Sequence, residues 1–419
     1  TLLASSAASD VYKRQTIHGL YIMWDSPIKP WTLETDNGTV ECGENGFLHE
    51  YIRLEEGTQS AVINIPADAT YICNIRIFDS TDIPEDVQIW NAPCEEADIM
   101  LVAAHADDEI LFLGGIIPTY GVADNAKVQV VYMTQFWDTA RIREHEKLDG
   151  LWTDGCRYYP VSASFTDMYS ESIDTARTQY DEDAMIEFIT EQIRRFKPQV
   201  IVTHDFNGEY GHGYHRLTAD AVKNAIDAAP DSGKYTNSAE KYGTWDTPKA
   251  YFHLYQENRI SLNLREPIEA MDGMTAVEVA TTAYKRHVSQ QWCWFYVSDE
   301  YEYSCADFGL YRSTVGTDTG NDMLENVTTY EEKKRIEEES KAAEESSKQE
   351  ESLKTAEKEE IREQKAAKKR NVVPVIIIAV LVVVLAAAGV VYHNYMEKMR
   401  RKKRRKNRGK NGSHRGNTR

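Results

Sequence analysis

Residues 16–92 carry short runs in which apolar and polar residues alternate, and this pattern predicts β-strands. Such runs cover Tyr51–Leu54, Ala61–Ile65 and Tyr71–Phe78, and Asn, Gly, Asp and Pro residues separate them. We therefore predict a β-rich, sandwich-like module over residues 16–92. Core packing is favoured over sugar stacking for most of its aromatic residues, which are Trp24, Trp31, Phe47, Tyr51 and Trp90.

From residue 97 the pattern changes to apolar runs that alternate with helical periods. The predicted strands are Ile99–Ala104, Val128–Met133, Gln199–Thr203 and Ala250–Tyr255. The predicted helices are Ile110–Tyr120 and residues 139–153, 181–196, 213–228 and 276–291. Repeated strand–helix units predict a three-layer α/β domain over residues 97–325 with a mostly parallel sheet. In such sheets, ligands bind beyond the carboxyl ends of the strands.

The segment 329–370 is rich in Glu, Lys, Gln, Ala and Ser and contains no Gly or Pro. A glutamate precedes a basic residue by four positions, the order that stabilises a helix, at Glu331/Arg335, Glu337/Lys341, Glu344/Lys348 and Glu350/Lys354. Apolar residues are too sparse for a coiled-coil seam. The pattern predicts a charged, solvated spacer helix about 60 Å long.

Residues 372–392 form an uncharged apolar run, VVPVIIIAVLVVVLAAAGVVY. As a helix of about 31 Å this run would match the hydrocarbon core of a bilayer, so we predict a transmembrane helix. The basic tail 393–419 should stay on the cytoplasmic side, which predicts a single-pass cell-membrane protein with its body outside the cell. Residues 1–15, TLLASSAASDVYKRQ, fit no strand or helix pattern and are excluded from the fold as a non-native or truncated end.

Charge is unevenly distributed along the chain. Residues 371–419 hold 12 of the 48 basic residues and one of the 67 acidic residues, which leaves residues 1–370 with a formal net charge of −30. A body this acidic repels nucleic acid, so no nucleic-acid partner is expected. Six cysteines occur without CxxC spacing, and spacing alone cannot establish a Cys42–Cys73 disulfide.

A polar cluster, AHADDE at residues 104–109, directly follows the first strand of the α/β domain. A tight strand-to-helix turn could aim His105 and Asp108 at one metal ion, and imidazole nitrogen with carboxylate oxygen suits zinc. Asp107 would face the same cavity without binding the ion. On these residues alone a second role is equally open, in which the carboxylates cap a helix and complement its dipole.

A second cluster, YGHGYH at residues 210–215, follows the strand in PQVIVTHD. His212 and His215 are three residues apart at a predicted helix start, so both rings can point to the same side. By itself this cluster could be a surface loop with incidental histidines. Two clusters of this kind at strand ends of one sheet favour a shared catalytic metal site with three protein ligands.

AHADDE resembles the AHPDDE signature of the LmbE-like (PIG-L) deacetylases, and GHGYH resembles their GHPDH signature. The strand PQVIVTHD and the segment KRHVSQ (Lys285–Gln290) are also similar to family elements, and the likeness covers residues 97–300. This resemblance implies a Rossmann-like α/β domain that hydrolyses N-acetyl groups on glucosamine-type substrates with zinc. The β-rich module, in turn, resembles a galactose-binding-like domain.

The same resemblance assigns the metal ligands and the base. His105, Asp108 and His215 would bind one Zn²⁺ per chain. Asp107 would act as the general base that accepts a proton from the attacking water.

Three further residues receive roles at the substrate. His212 would stabilise the oxyanion or protonate the leaving amine, and Tyr210 would polarise the carbonyl. Arg143 lies in an RxxE stretch with Glu146 and would contact the substrate.

Two positions depart from the family signatures. Ala106 replaces a proline, which should loosen the turn modestly because proline mainly restricts φ. Tyr214 replaces an acid between the two late histidines, and this change removes a residue that could orient a neighbouring imidazole.

The resulting hypothesis is removal of N-acetyl groups from N-acetylglucosamine-type sugars or glycoconjugates at the cell surface. One alternative is a zinc amidase that acts on a non-sugar N-acyl compound. The other is a surface carbohydrate-binding protein with a silent α/β domain, and the intact Asp107 beside an intact ligand set argues against it. The choice between sugar and non-sugar substrates rests on the resemblance alone. The residues do not determine the oligomeric state.

Overall fold

The computed structural model describes residues 15–66, 70–368, 388–392 and 395–399. The described residues up to Glu337 form one compact unit, and those from Glu338 onward form a second. The first unit contains two small antiparallel sheets and one large mixed sheet with its helices. All the functional residues predicted from the sequence lie in this first unit.

The β-rich segment forms two three-stranded antiparallel sheets with strand orders β4-β1-β6 and β3-β2-β5. Trp24 and Trp31, one from each sheet, are buried with ring centroids 5.5 Å apart, and both indole N–H groups donate to Glu50. Core packing is therefore their role. Cys42 and Cys73 are free thiols. The six strands are β1 (Ile17–Trp24), β2 (Trp31–Thr35), β3 (Gly38–Cys42), β4 (His49–Thr58), β5 (Ala61–Asn64) and β6 (Ile72–Phe78).

The large sheet has seven strands in the order β12-β13-β11-β10-β7-β8-β9. Neighbours from β11 to β9 are parallel, whereas β13 runs antiparallel to β11 and β12. This arrangement confirms the predicted α/β domain with a large, mostly parallel sheet. The strands are β7 (Ile99–Ala103), β8 (Val128–Tyr132), β9 (Val161–Ser162), β10 (Val200–Thr203), β11 (Lys249–His253), β12 (Arg259–Ser261) and β13 (Asp307–Ser313).

Helices cover both faces of this sheet. Along β7, Leu101 and Ala103 belong to one apolar core, while Met100 and Val102 belong to the other. The first core includes side chains of α2 and α7, and the second includes side chains of α3, α4 and α5. The helices are α1 (Asp108–Leu111), α2 (Ile142–Thr153), α3 (Ile173–Gln179), α4 (Glu182–Phe196), α5 (Gly213–Ala228), α6 (Thr236–Tyr242), α7 (Ala276–Tyr284) and α8 (Tyr330–Lys368).

The strand order places a switch point beside β7. From β7 the chain builds outward through β8 and β9, then returns to the other side of β7 with β10 and continues to β11. Connections that leave two adjacent parallel strands in opposite directions open a crevice at their carboxyl ends. Both polar clusters follow these two strands, so the topology brings them to one crevice.

The predicted helix Ile110–Tyr120 is wrong as a continuous element. Helix α1 ends at Leu111, and a separate π-helical segment covers Ile117–Ala123. A Cβ at Gly114 would lie 2.0 Å from the carbonyl oxygen of Ile110, so the chain turns there with a glycine instead of continuing the helix.

Other sequence predictions meet the structure to different degrees. Helices α2, α4 and α5 begin within three residues of their predicted starts. The predicted helix 276–291 is too long, because α7 ends at Tyr284 and only a short 3₁₀ turn, Val288–Gln290, follows. The edge strands β9 and β12, the interior strand β13 and the short helices α3 and α6 have weak local patterns and were not predicted.

Helix α8 lies within the segment predicted to be a spacer helix. On this helix, Lys348 Nζ lies 3.8 Å from Glu344 Oε2. Most of the predicted transmembrane segment 372–392, and most of the basic tail 393–419, lie outside the described residues. None of the helices in the described part of the chain has the length and apolar composition needed to span a bilayer.

A buried polar contact joins β4 to α2. The His49 ring contacts Gln88 Oε1 through Nδ1 at 2.8 Å and His145 Nδ1 through Nε2 at 2.9 Å, while Gln88 donates to Asp149 at 2.6 Å. His49 is fully buried. Burial and the neighbouring imidazole of His145 lower the pKa of His49 to about 3. Because Nδ1 of His49 donates to Gln88, its Nε2 must keep a lone pair to accept from His145, so His49 must stay neutral for this contact to persist.

This junction should make the fold sensitive to acid. Below a pH of about 6.5, His49 binds a proton in the unfolded chain. In the folded chain it stays unprotonated until the pH approaches its lowered pKa of about 3. The free energy of unfolding should then fall by up to about 1.4 kcal/mol per pH unit until the folded pKa is reached. We expect a shallower loss in His49→Gln than in the wild type, measured by urea unfolding between pH 6.5 and 5. Equal slopes for the two proteins would contradict this assignment.

Candidate active site

The first cluster lies in the turn between β7 and α1. Asp107 has a φ of 121°, a conformation that costs a residue other than glycine about 1–3 kcal/mol. Local hydrogen bonds hold it there, because its N–H donates to Glu109 Oε2 at 2.8 Å and its carbonyl oxygen accepts from Leu111 N at 2.8 Å. The strained turn directs the Asp107 side chain toward α2.

The second cluster forms the turn between β10 and α5. His212 is the N-cap of α5, and its Nδ1 accepts from the Tyr214 N–H at 3.3 Å. A Cβ at Gly213 would lie 1.9 Å from the carbonyl oxygen of Ser172, so only glycine allows this close approach. The turn is thus pressed against the segment that precedes α3.

Three predicted ligand atoms form a small triangle. His105 Nδ1 lies 3.0 Å from Asp108 Oδ2 and 3.1 Å from His215 Nε2, and the last two atoms are 3.3 Å apart. Ligands placed tetrahedrally at zinc–ligand distances of 2.0–2.1 Å are separated by about 3.3 Å. The spacing and the donor types therefore fit one metal ion.

Two more histidines border the triangle. His105, His212 and His215 are close enough to share an ion, and so are Asp108, His204 and His215. However, His204 Nε2 already accepts from the Ala104 N–H at 2.9 Å. His212 Nδ1 accepts the capping bond from the Tyr214 N–H at 3.3 Å, so this ring is already used at the start of α5. The hydrogen bonds therefore favour His105, Asp108 and His215 as the ligand set.

A fully buried carboxylate, Glu209, organises the histidines from behind. Its Oε2 lies 2.8 Å from His204 Nδ1 and 2.6 Å from His215 Nδ1, and its Oε1 lies 2.6 Å from His253 Nδ1. Burial alone would raise the pKa of Glu209, but these three imidazoles hold it well below its usual range. The bond to His215 Nδ1 leaves the His215 Nε2 lone pair directed at the triangle.

Glu209 supplies the acid that orients an imidazole, the role that the tyrosine at position 214 cannot fill. Tyr214 is fully buried and donates its hydroxyl to the carbonyl oxygen of Met133, so it cannot orient a ligand. The orienting acid comes instead from six residues before His215. Sequence reasoning missed it, although the acid in NGEYGH was a visible signal. It also missed His204, His253 and Asp167, whose Oδ1 lies 3.5 Å from His105 Nε2.

The predicted base has an environment suited to proton transfer. Burial raises the pKa of Asp107 to about 6, against the opposing effect of Arg143 and with a smaller contribution from Asp108. A carboxylate that titrates near neutrality can accept a proton efficiently at physiological pH. Arg143 Nη2 lies 3.2 Å from Asp107 Oδ1 and donates to the Ala106 carbonyl at 2.5 Å. The structure thus places Arg143 against the base, and its contact with substrate stays a prediction.

Two motifs from distant parts of the chain meet at α2. The Ser289 N–H and hydroxyl donate to the two carboxylate oxygens of Glu146 at 2.8 and 2.6 Å. Glu146 belongs to the RxxE stretch, and Ser289 belongs to KRHVSQ. This pairing ties the 3₁₀ turn Val288–Gln290 to the helix that carries Arg143.

Tyr210 and His212 lie at the mouth of the site. The Tyr210 ring centroid is 5.6 Å from those of both His212 and His215, and about two fifths of Tyr210 is exposed. Burial and nearby carboxylates raise the pKa of Tyr210, so its hydroxyl keeps its proton. Burial and the imidazoles of His105 and His215 lower the pKa of His212 to about 2. Both groups are neutral and can donate a hydrogen bond.

Comparison with known proteins agrees with this arrangement. Residues 100–226 match the model of the family PIG-L, described as GlcNAc-PI de-N-acetylase. A 1D-myo-inositol 2-acetamido-2-deoxy-alpha-D-glucopyranoside deacetylase of Rhodococcus jostii is 26% identical over 204 residues, which cover 42% of this chain and 68% of the relative. A mycothiol S-conjugate amidase of Streptomyces coelicolor is 39% identical over 74 residues, 17% of this chain and 25% of the relative. An N,N'-diacetylchitobiose deacetylase structure from Pyrococcus horikoshii has 18% identity and a TM-score of 0.36, covering 47% of this chain and 72% of that chain.

The α/β fold and its relatives define the class of this protein as a hydrolytic N-deacetylase. Within that class, residues 100–226 match the PIG-L family model, so this part of the chain carries a PIG-L-type domain. The resemblance drawn from AHADDE and GHGYH is thereby confirmed.

The triangle of donor atoms predicts about one divalent metal ion per chain. His105→Ala and His215→Ala should each lose most of that metal, because two remaining ligands bind weakly. Metal content of the purified variants by inductively coupled plasma mass spectrometry provides the measurement. Unchanged metal content in both variants would refute the ligand assignment.

Replacement of Glu209 should weaken the site without touching a ligand. In Glu209→Gln, the amide cannot accept from all of the imidazole donors, so His215 loses its fixed orientation. We expect metal affinity to fall about 10- to 100-fold. Competition with a chelator measures this affinity, and Glu257→Gln, at an exposed glutamate, is the matched control. An affinity equal to that of the control would show that Glu209 does not orient the ligand.

Proposed function

We propose that this chain is a zinc-dependent hydrolase that removes N-acetyl groups from N-acetylglucosamine-type sugars or glycoconjugates. The observation that carries the proposal is the ligand triangle of His105, Asp108 and His215 beside the buried carboxylate of Asp107. The sugar substrate is supported by relatives whose names specify an N-acetylated glucosamine.

Zinc, when bound, would bring the pKa of a coordinated water toward neutrality and stabilise negative charge on the amide oxygen. Asp107 accepts a proton from the attacking water, and Arg143 holds the Asp107 carboxylate in place. His212 and Tyr210 donate hydrogen bonds to the oxygen on which charge develops. The leaving amine takes the proton that Asp107 accepted from the water, because the lowered pKa of His212 keeps that ring neutral. The products are acetate and the free amino sugar.

A second candidate is hydrolysis of a different amide. The amidase relative is similar to this chain over only 74 residues, but it shows that related domains carry that name as well. Such a reaction would use the same metal and the same base, since every amide hydrolysis needs an activated water and a protonated amine. Only the groups that recognise the acylated amine would differ.

We also propose that the reaction takes place at the cell surface. The proposal rests on the apolar run 372–392 and the basic tail 393–419, which would anchor the chain with its acidic body outside.

Adjacent carboxylates provide the sharpest test of the mechanism. Asp107→Asn should keep the metal and the fold, yet lower the deacetylation rate by about 10² to 10⁴, the usual contribution of a positioned general base. Asp108→Asn should lose metal, because a neutral amide is a poorer ligand than a carboxylate. We compare each variant with the wild type by its zinc content, its melting temperature and its rate of deacetylation of N-acetylated glycans, which is followed by mass spectrometry.

The outcomes separate the steps of the proposal. Near-normal turnover in Asp107→Asn would remove Asp107 from the mechanism. Equal loss of zinc in both variants would mean that the site is built differently from the ligand triangle. A wild-type enzyme that releases acetate from none of the glycans, but from a non-sugar N-acyl amine, would favour the amidase.

A further inference from the structure

Two loops that contact the metal site expose aromatic rings. Trp292, Trp294 and Tyr296 are 82%, 62% and 52% exposed, and all three lie in the loop between the 3₁₀ turn Val288–Gln290 and β13. Tyr169, in the loop between β9 and α3, is 73% exposed. Large rings left this open are unfavourable in water unless something covers them, and clustering of such rings marks a binding surface.

A path of ring contacts leads from Trp294 into the active site. The Trp294 centroid lies 4.1 Å from that of Phe295, and the Phe295 centroid lies 4.4 Å from that of Tyr210. Tyr210 in turn lies 5.6 Å from His212. From the other loop, Tyr169 approaches His212 at 5.4 Å. A molecule whose reacting group sits at the metal site would therefore extend over aromatic faces.

Packing beneath the loop holds its rings in place. Phe295 and Tyr303 lie 5.6 and 6.2 Å from Phe112, which follows α1 at the base of the site. Tyr301 stacks on Tyr296 at 4.5 Å. Trp294 and Tyr296 thus rest on packed rings, which limits the conformational entropy lost on binding.

We propose that Trp292, Trp294, Phe295, Tyr296 and Tyr169 form an aromatic platform that binds an uncharged oligosaccharide or polysaccharide of N-acetylated amino sugars. The sugar whose acetamido group lies at the metal site is one unit of this glycan, and neighbouring units stack on the platform. This inference rests on the proposed function, because the ring-to-ring path ends at the groups assigned to deacetylation.

Charge favours this occupant over a lipid surface. Tryptophan and tyrosine also gather at membrane interfaces, where anionic headgroups attract basic residues. Here the aromatic segment carries Asp299, Glu300 and Glu302 instead, and Arg265 pairs with the first two at 2.7 and 2.9 Å. An acidic surround repels anionic lipids and polyanionic glycans. It tolerates a neutral N-acetylated glycan and attracts the ammonium groups that deacetylation creates.

The test compares short and long ligands on the full chain. Calorimetry measures the Kd of N-acetylglucosamine and of its β-1,4-linked hexasaccharide, and kcat/KM is measured for both. The hexasaccharide should bind at least about tenfold more tightly than the monosaccharide, since added units gain stacking contacts. Trp294→Ala and Trp292→Ala should each weaken hexasaccharide binding about tenfold. Trp294→Tyr, which retains an aromatic face, should recover part of the affinity.

Tyr71→Ala is the matched control, because Tyr71 is equally exposed but lies in the β-rich segment. Its hexasaccharide affinity should equal that of the wild type. Deacetylation with no preference for the hexasaccharide, or tryptophan variants that match this control, would overturn the platform while the proposed function stands. Hexasaccharide binding that depends on the tryptophans, without any acetate release, would support the platform and overturn the proposed function.

A sedimentation assay with phosphatidylcholine–phosphatidylglycerol vesicles tests whether the aromatic platform binds a membrane surface instead of a glycan. The tryptophan variants should bind these vesicles as the wild type does. Loss of vesicle binding in Trp292→Ala and Trp294→Ala, with unchanged hexasaccharide affinity, would overturn the platform in favour of a membrane contact.

Discussion

Parallel pairing of β7 with β10 is the constraint on which the rest of the site depends. Ile99, Met100 and Leu101 pair with Val200, Ile201 and Val202, so both strands end at the same edge of the sheet. The chain leaves these strands in opposite directions, and such a switch point opens a crevice at the strand ends. His105 and His215 are 110 residues apart in the chain, yet this pairing brings their ring nitrogens to 3.1 Å. Buried apolar residues on both faces keep the two strands, and therefore the ligands, in register.

Concentrating imidazoles and carboxylates in a buried crevice is unfavourable unless each charge has a partner. Glu209 provides much of this compensation, because one carboxylate accepts hydrogen bonds from three histidines and from the Asp205 N–H. On the other side of the site, the positive charge of Arg143 compensates the negative charge of Asp107. The two supporting residues leave different groups available. Glu209 presents a lone pair of His215 to a metal, whereas Arg143 leaves Asp107 able to titrate near neutrality.

The crevice is bordered by a packed helix on one side and by a solvent-exposed loop on the other. On one side, α2 carries Arg143 and Glu146 toward the site and contacts the β-rich segment through His145. On the other side, the loop before β13 exposes its indole rings to solvent beside Tyr210. A buried site with an open aromatic approach can hold one group of a larger molecule while most of that molecule stays outside.

The sequence by itself determined the α/β class, the strand ends that carry the chemistry, and the two clusters that mark the family. These features depend on local signals, since apolar runs, glycine-containing turns and His–Asp spacings are all read within a few residues. Tertiary structure alone decided that Glu209 orients His215, that Arg143 faces Asp107, and that Asp107 adopts a positive φ. It also decided that the helix predicted after Ile110 breaks at Gly114. Each of these outcomes depends on groups that only the folded chain brings together, in several cases from strands or helices far apart in sequence, and no local pattern encodes such contacts.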